Sequence, residues 1–300
     1  MLKNRISFNL FHEAFFSETT RKKTEVVIVT IAIISFLLHL LVIALVDSQI
    51  ISISDKSKLL SSPIAAIYTP FSFILIYEVY LLVFYLPKST SIYIGKQYEI
   101  ITLIIIRRVF KDLSQLEFTS DWFNVKSDLN FTYDISATII LFFLIFVFYK
   151  LNQKRAMKPK NGSELSIELV KFIKIKNIVA MLLIPIFLVL ATYSLIHWVY
   201  ESFFSINRLV DSITDVNNVF FADFFTILIL IDVLLLLFSF LHIDKFNKII
   251  RNSGFIISTI LLKLSFSADG LLNIILIIVA VLFGVIILAI HNQFETLADA

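Results

Sequence analysis

The stretch Phe71-Ser72-Phe73-Ile74-Leu75-Ile76-Tyr77-Glu78-Val79 aligns without gaps on Phe225-Thr226-Ile227-Leu228-Ile229-Leu230-Ile231-Asp232-Val233, 154 residues later. A second pair follows. Ile100-Ile101-Thr102-Leu103-Ile104-Ile105-Ile106-Arg107-Arg108-Val109-Phe110 aligns on Ile256-Ile257-Ser258-Thr259-Ile260-Leu261-Leu262-Lys263-Leu264-Ser265-Phe266, at an offset of 156. Each half of the chain therefore carries an acid in one apolar segment and a base in the next. Charge inside hydrocarbon is costly, so its placement marks a functional candidate by default.

The composition supplies the hydrocarbon. Hydrophobic residues make up 58% of the chain and charged residues 16%, against about 25% charged in a soluble domain. The mean hydropathy is +0.90. Several apolar runs reach the roughly 20 residues that a membrane-spanning helix needs. An integral membrane protein is expected, with no separate soluble domain. The chain has no cysteine, which excludes disulfides and thiolate metal sites.

Clear spans are expected at 26–46, 65–87, 133–150, 177–199, 220–241 and 271–290, with shorter candidates at 98–116 and 253–268. The basic cluster Arg21-Lys22-Lys23 precedes a full-length span with no small-residue cleavage site, so a cleavable signal peptide is not expected. Positive-inside logic decides whether the short segments cross. If they do, 18 of the 26 Lys and Arg residues fall on the cytoplasmic side, four fall outside and four lie within the short spans. If they do not, eight bases lie outside.

The expected fold is thus an all-α polytopic membrane protein of eight transmembrane helices, arranged as two parallel four-helix repeats. An amphipathic cytoplasmic surface helix precedes each repeat, at 3–16 and at 163–174. The first repeat covers 1–151 and the second 163–300, joined by a polar cytoplasmic linker at 152–162 with Pro159 and Asn161-Gly162. Both termini are expected in the cytoplasm of a cell (inner) membrane protein. Parallel repeats about an axis normal to the membrane are a transporter plan.

The acids and bases agree in depth. Glu78 lies nine residues before Pro87, and Arg107 nine after Tyr98; Asp232 lies nine before Leu241, and Lys263 nine after Gly254. At about 1.5 Å per residue each sits roughly 13 Å into its span. Pairs of Glu78 with Arg107 or Arg108, and of Asp232 with Lys263, are expected to offset the burial of charge. These five residues and Lys111 are the candidate lining of an intramembrane charge path. Polar residues in the outer parts of the short spans suit protein or water rather than lipid. They include Lys111, Asp112, Ser114, Gln115 and Glu117, and Ser265, Ser267 and Asp269.

The leading functional reading is a channel- or transporter-like protein with an ion path lined by these pairs. The alternative is a non-transporting scaffold or sensor subunit that binds a partner through its basic cytoplasmic face. No Ser–His–Asp, HExxH, P-loop or dinucleotide motif appears, so neither an enzyme nor a cofactor is expected. His39 and His197 fall at similar places in the first span of each half, but two residues in a loosely aligned stretch do not make a haem or metal site. Glycine is scarce, five residues where about 20 would be usual. Close small-residue helix contacts are therefore expected to be few. Expected partners are the lipid bilayer, small ions, and either another copy of the chain or a membrane partner subunit, with no nucleic acid.

Overall fold

The computed structural model of the chain describes residues 15–50, 63–113, 126–156, 167–204, 212–242, 246–268 and 270–298. Among these residues there is no strand. Among the described residues these α-helices run in order: α1 Glu18–Asp47, α2 Tyr68–Tyr85, α3 Thr90–Leu113, α4 Lys126–Ala156, α5 Ile167–Phe204, α6 Ser212–His242, α7 Phe246–Ser265 and α8 Gly270–Ala298. A short 3-10 helix, Pro63–Ile67, leads into α2.

Local chemistry sets several of the ends. Ser17 caps α1 by accepting from the Thr20 amide at 3.1 Å, with Glu18 in the first turn against the positive end of the helix. α1 stops where Gln49 takes the left-handed φ of 56°, and the Ile50 amide reaches back to the Leu45 carbonyl at 3.1 Å. Pro87 stands just past α2, where a proline cannot continue the ladder. Gly270, at φ 59°, opens α8 after the turn from α7.

Five helices contain stretches long and apolar enough to cross a membrane: Glu18–Asp47, Asp128–Gln153, Val170–Leu190, Phe224–Leu241 and Gly270–Leu297. They coincide with five of the expected spans. α2 is apolar but shorter, at Thr69–Tyr85. α3 and α7, on the two short candidates, do not reach that apolarity.

Burial on α7 runs opposite to the soluble pattern. Its Arg251, Asn252, Ser258, Thr259 and Ser265 are buried, while Phe246, Ile250, Ile257, Ile260 and Leu264 are exposed. α1 likewise exposes Val26, Val27, Ile33, Ile34, Leu37, Leu38 and Leu41. In water such a surface would be an aggregation hazard. It fits lipid, and the apolar helices are compatible with an integral membrane protein.

Most of the expected surface helix at 3–16 lies outside the described residues. The one expected at 163–174 is described from Ile167, and it is not separate. α5 runs unbroken for 38 residues into the following span. No Gly or Pro stands between Ile167 and Pro185 to end it. α4 likewise continues to Ala156, into the first part of the expected linker.

The helices form two compact units, each drawing on both halves of the sequence. The first comprises 1–84, 107–131 and 183–220, and the second 85–106, 132–182 and 221–300. In the second unit α7 and α8 pack antiparallel. Ser258 Oγ donates to the Ala280 carbonyl at 2.7 Å, Arg251 lies against His291, and Gly254 faces Ile287. Three of the five glycines sit on helices directly against another side chain: Gly95 on Tyr149, Gly254 on Ile287 and Gly284 on Tyr98. Glycines are few, but these are spent on close approach.

Candidate functional site

In the first unit, α2 brings Glu78 to Arg107 on α3. Arg107 Nη2 donates to Glu78 Oε2 at 2.6 Å, and its Nη1 reaches the Phe71 carbonyl at 3.5 Å. Both side chains are buried. Phe71 stacks on Phe110 with ring centroids 5.4 Å apart. As α2 runs from residue 71 to 78, α3 runs back from 110 to 107, so the two segments are antiparallel. The expected equal depth does not hold: Glu78 stands seven residues before the end of α2 and Arg107 seventeen after the start of α3, and the two meet all the same.

Arg108 is half-buried and turned about 100° around α3 from Arg107. Lys111 belongs to α3, but its side chain lies outside the described residues. A polar cluster also joins α1 to α2. Arg21 binds Glu18 at 2.7 Å and Glu25 at 3.4 Å. The Tyr77 hydroxyl donates to Glu25 at 3.0 Å, and the Tyr80 hydroxyl to the Phe15 carbonyl at 2.8 Å. His39 hydrogen-bonds Thr69, and the His197 side chain lies outside the described residues.

Asp232, in the second unit, has different company. It is buried on α6 and makes no ion pair with Lys263, which is half-exposed further along α7. Its partner is a neutral amide. Gln97 Nε2, on α3, donates to Asp232 Oδ2 at 3.4 Å. Thr259, on α7, donates its hydroxyl to Gln97 Oε1 at 2.9 Å and shares it with the Phe255 carbonyl at 3.1 Å. Thr259 thus sets which end of the Gln97 amide faces Asp232.

Tyr93, one turn before Gln97, also lies beside Asp232. Its hydroxyl is buried without a well-aligned hydrogen bond. Lys176 of α5 lies within reach of the Asp232 charge, while its Nζ donates to the Lys88 carbonyl at 2.6 Å.

Between these groups is a cavity of about 30 Å³ whose polar lining is Thr90, Tyr93, Lys176, Asp232 and Asn252. A site of this volume with several polar partners has room for a water or a small ion. Its chemistry is that of a carboxylate, an amine, a phenol and an amide facing one small space.

The polar interior continues along α7. Ser258 has a single hydroxyl hydrogen, which goes to the Ala280 carbonyl, so at 2.7 Å the Tyr98 hydroxyl donates to Ser258. Arg251 meets the Asn252 oxygen at 2.9 Å and His291 Nε2 at 3.3 Å. His291 in turn lies 3.2 Å from Glu295. Among the described residues no three His, Cys, Asp or Glu side chains group to hold a metal ion.

Of the six candidate site residues, then, Glu78 and Arg107 meet, Asp232 and Lys263 do not, and Arg108 and Lys111 adjoin Arg107 in sequence. The sequence reading missed Tyr93, Gln97, Lys176, Asn252 and Thr259. In sequence Lys176 reads only as one of the Lys and Arg residues on the cytoplasmic side. A usable signal was present in α7, whose Asn252 and Thr259 fall seven residues apart on one face, opposite the exposed Ile250 and Ile257. The chain matches no protein family model, no curated protein and no solved structure.

Proposed function

We propose that this is a channel- or transporter-like membrane protein in which Asp232 binds and releases a small cation, the proton included. One observation carries the reading. Asp232 is a buried carboxylate whose hydrogen-bond donor is neutral, on the wall of a cavity the size of a water. A buried carboxylate whose adjoining donors are an amide and a phenol, with no ammonium in contact, is expensive to keep charged. A cation that enters the cavity offsets that cost, and the Lys176 ammonium nearby weakens its hold, so that it can leave again. In this reading eight helices cross the membrane as two parallel repeats, with the basic segments on the cytoplasmic side.

The Glu78–Arg107 pair favours a second, structural role within the same protein. Its groups are in direct contact and buried, and such a pair fixes the register of two helices. A protein built only of such contacts would be a scaffold or sensor subunit. The two readings separate in proteoliposomes. Asp232→Asn keeps the shape of the site and removes its charge. The transport reading expects flux of protons or alkali cations in the wild type and its loss in Asp232→Asn, with stability changed by less than about 1 kcal/mol. Absence of flux for every small cation tested, with the protein folded, supports the scaffold.

A further inference from the structure

A second cavity lies in the first unit, apart from Asp232. It measures about 200 Å³. Ile28 of α1, Val79 and Val83 of α2, and Ile184, Phe187 and Leu188 of α5 line it. Val79, Val83 and Phe187 are buried, but Leu188 is 59% exposed, so one wall opens at the surface. A cavity of some 150 Å³ with such a lining stays dry and takes up apolar molecules. The volume would admit several waters, yet away from Thr20, Thr24 and Tyr80 the walls offer them no partners.

Towards the start of α1 the lining turns polar, with Thr20 and Thr24 one helical turn apart and Tyr80 opposite. At about 100° per residue, Arg21 and Lys23 flank the Thr20–Thr24 stripe on either side. Arg21 is engaged by Glu18 and Glu25, whereas Lys23 is exposed. The site therefore has a dry apolar interior, hydroxyls at its polar end and a cation beside them. This sequence matches the sequence of groups in a phospholipid, from acyl chain through glycerol ester to phosphate.

We propose that this cavity binds one acyl chain of an anionic phospholipid, with the headgroup phosphate at Lys23 and the edge of Arg21. The site is independent of the Asp232 cluster and of any transport activity. It differs from general lipid contact in being a cavity walled by three helices rather than an open helix face such as that of Leu37, Leu38 and Leu41.

The test uses the full chain, purified in detergent and supplied with phosphatidylglycerol or phosphatidylcholine. Native mass spectrometry counts the lipids that survive delipidation. The wild type is expected to keep one phosphatidylglycerol in preference to phosphatidylcholine. Val83→Phe and Leu188→Phe fill the cavity from two helices and should lose it. Leu38→Phe, on the open face of α1, should keep it. Lys23→Gln should retain a lipid but lose about fivefold of its preference for the anionic headgroup.

Each contrary result overturns the proposal: a wild type that keeps no lipid, one that keeps both lipids equally, or retention unchanged in a folded filling variant. Leu188 is exposed, so Leu188→Phe remains informative if Val83→Phe does not fold. The wild-type measurement decides even if both fail.

Discussion

The amide of Gln97 meets the carboxylate of Asp232 at 3.4 Å across 135 residues of chain. The contact ties α3 to α6 and puts a neutral donor where a counter-charge would be expected. Because Thr259 holds the other end of the same amide at 2.9 Å, three helices share one polar line. A change at Thr259 should therefore be felt at Asp232 without touching it.

Thr259→Val keeps the volume and removes the hydroxyl. The Gln97 oxygen is then left buried without its donor, which costs about 1–3 kcal/mol. The amide is also free to turn its oxygen towards Asp232. Lower thermal stability is expected, together with weaker cation dependence of that stability. Thr259→Ser should restore both. A valine variant equal to wild type in both measurements would show that Gln97 is held by other means.

Glu78→Gln should behave as a stability mutation. It leaves Arg107 buried without its counter-charge, and breaking such a pair costs about 3–5 kcal/mol. The melting temperature in detergent should fall clearly. The swap of Glu78→Arg with Arg107→Glu should recover part of the loss. If Glu78→Gln instead melts like the wild type while flux changes, the pair lies in the conduction path and the division of roles drawn above is reversed.

Gly284→Ala places a methyl group against the Tyr98 hydroxyl and ring. Tyr98 is fully buried, packed edge-on against Phe148 with centroids 5.2 Å apart, and has little room to withdraw. Overpacking of this kind costs about 1–3 kcal/mol. Gly284→Ala should lower the melting temperature. In a Tyr98→Phe background the penalty should shrink, because the hydroxyl makes the closest contact.

Topology can be read directly, because the chain has no native cysteine. A single Lys158→Cys is expected to resist a membrane-impermeant thiol reagent in intact cells and to react once they are opened. Labelling from outside would reverse the proposed orientation. Arg208→Cys is expected to give the opposite pattern.

Much of the helical order was legible because hydrocarbon demands long apolar runs, and each expected span overlaps a described helix. Glu78 and Arg107 were legible for a related reason: charged residues are conspicuous in apolar sequence, and an acid and a base in consecutive apolar segments are the natural partners. The setting of Asp232 was not. Its alignment with Glu78 points to Lys263 by analogy, but a repeat in sequence does not oblige both copies to choose equivalent partners. Gln97 and Thr259 carry no charge, and they lie 135 and 27 residues away in the chain. Only packing brings them to Asp232. The separate surface helix at 163–174 failed for a local reason: a change from amphipathic to uniformly apolar sequence does not end a helix unless a breaker stands at the junction.

The unbroken length of α5 has a mechanical consequence. Its stretch before Pro185, residues 167–184, makes about 27 Å of straight helix at 1.5 Å per residue, entering the bilayer hydrocarbon from 177 on in the proposed topology. With 177–199 in that layer, the first ten residues stand out of it as a stiff post some 15 Å long. Lys171 and Lys174 are exposed on this post, and Lys176 at its base is buried. Anything that grips the post and tilts it turns the same rod that holds the Lys176 ammonium near Asp232. A load applied to the post is thereby delivered to the cavity at Asp232 as a change in the distance between two charges.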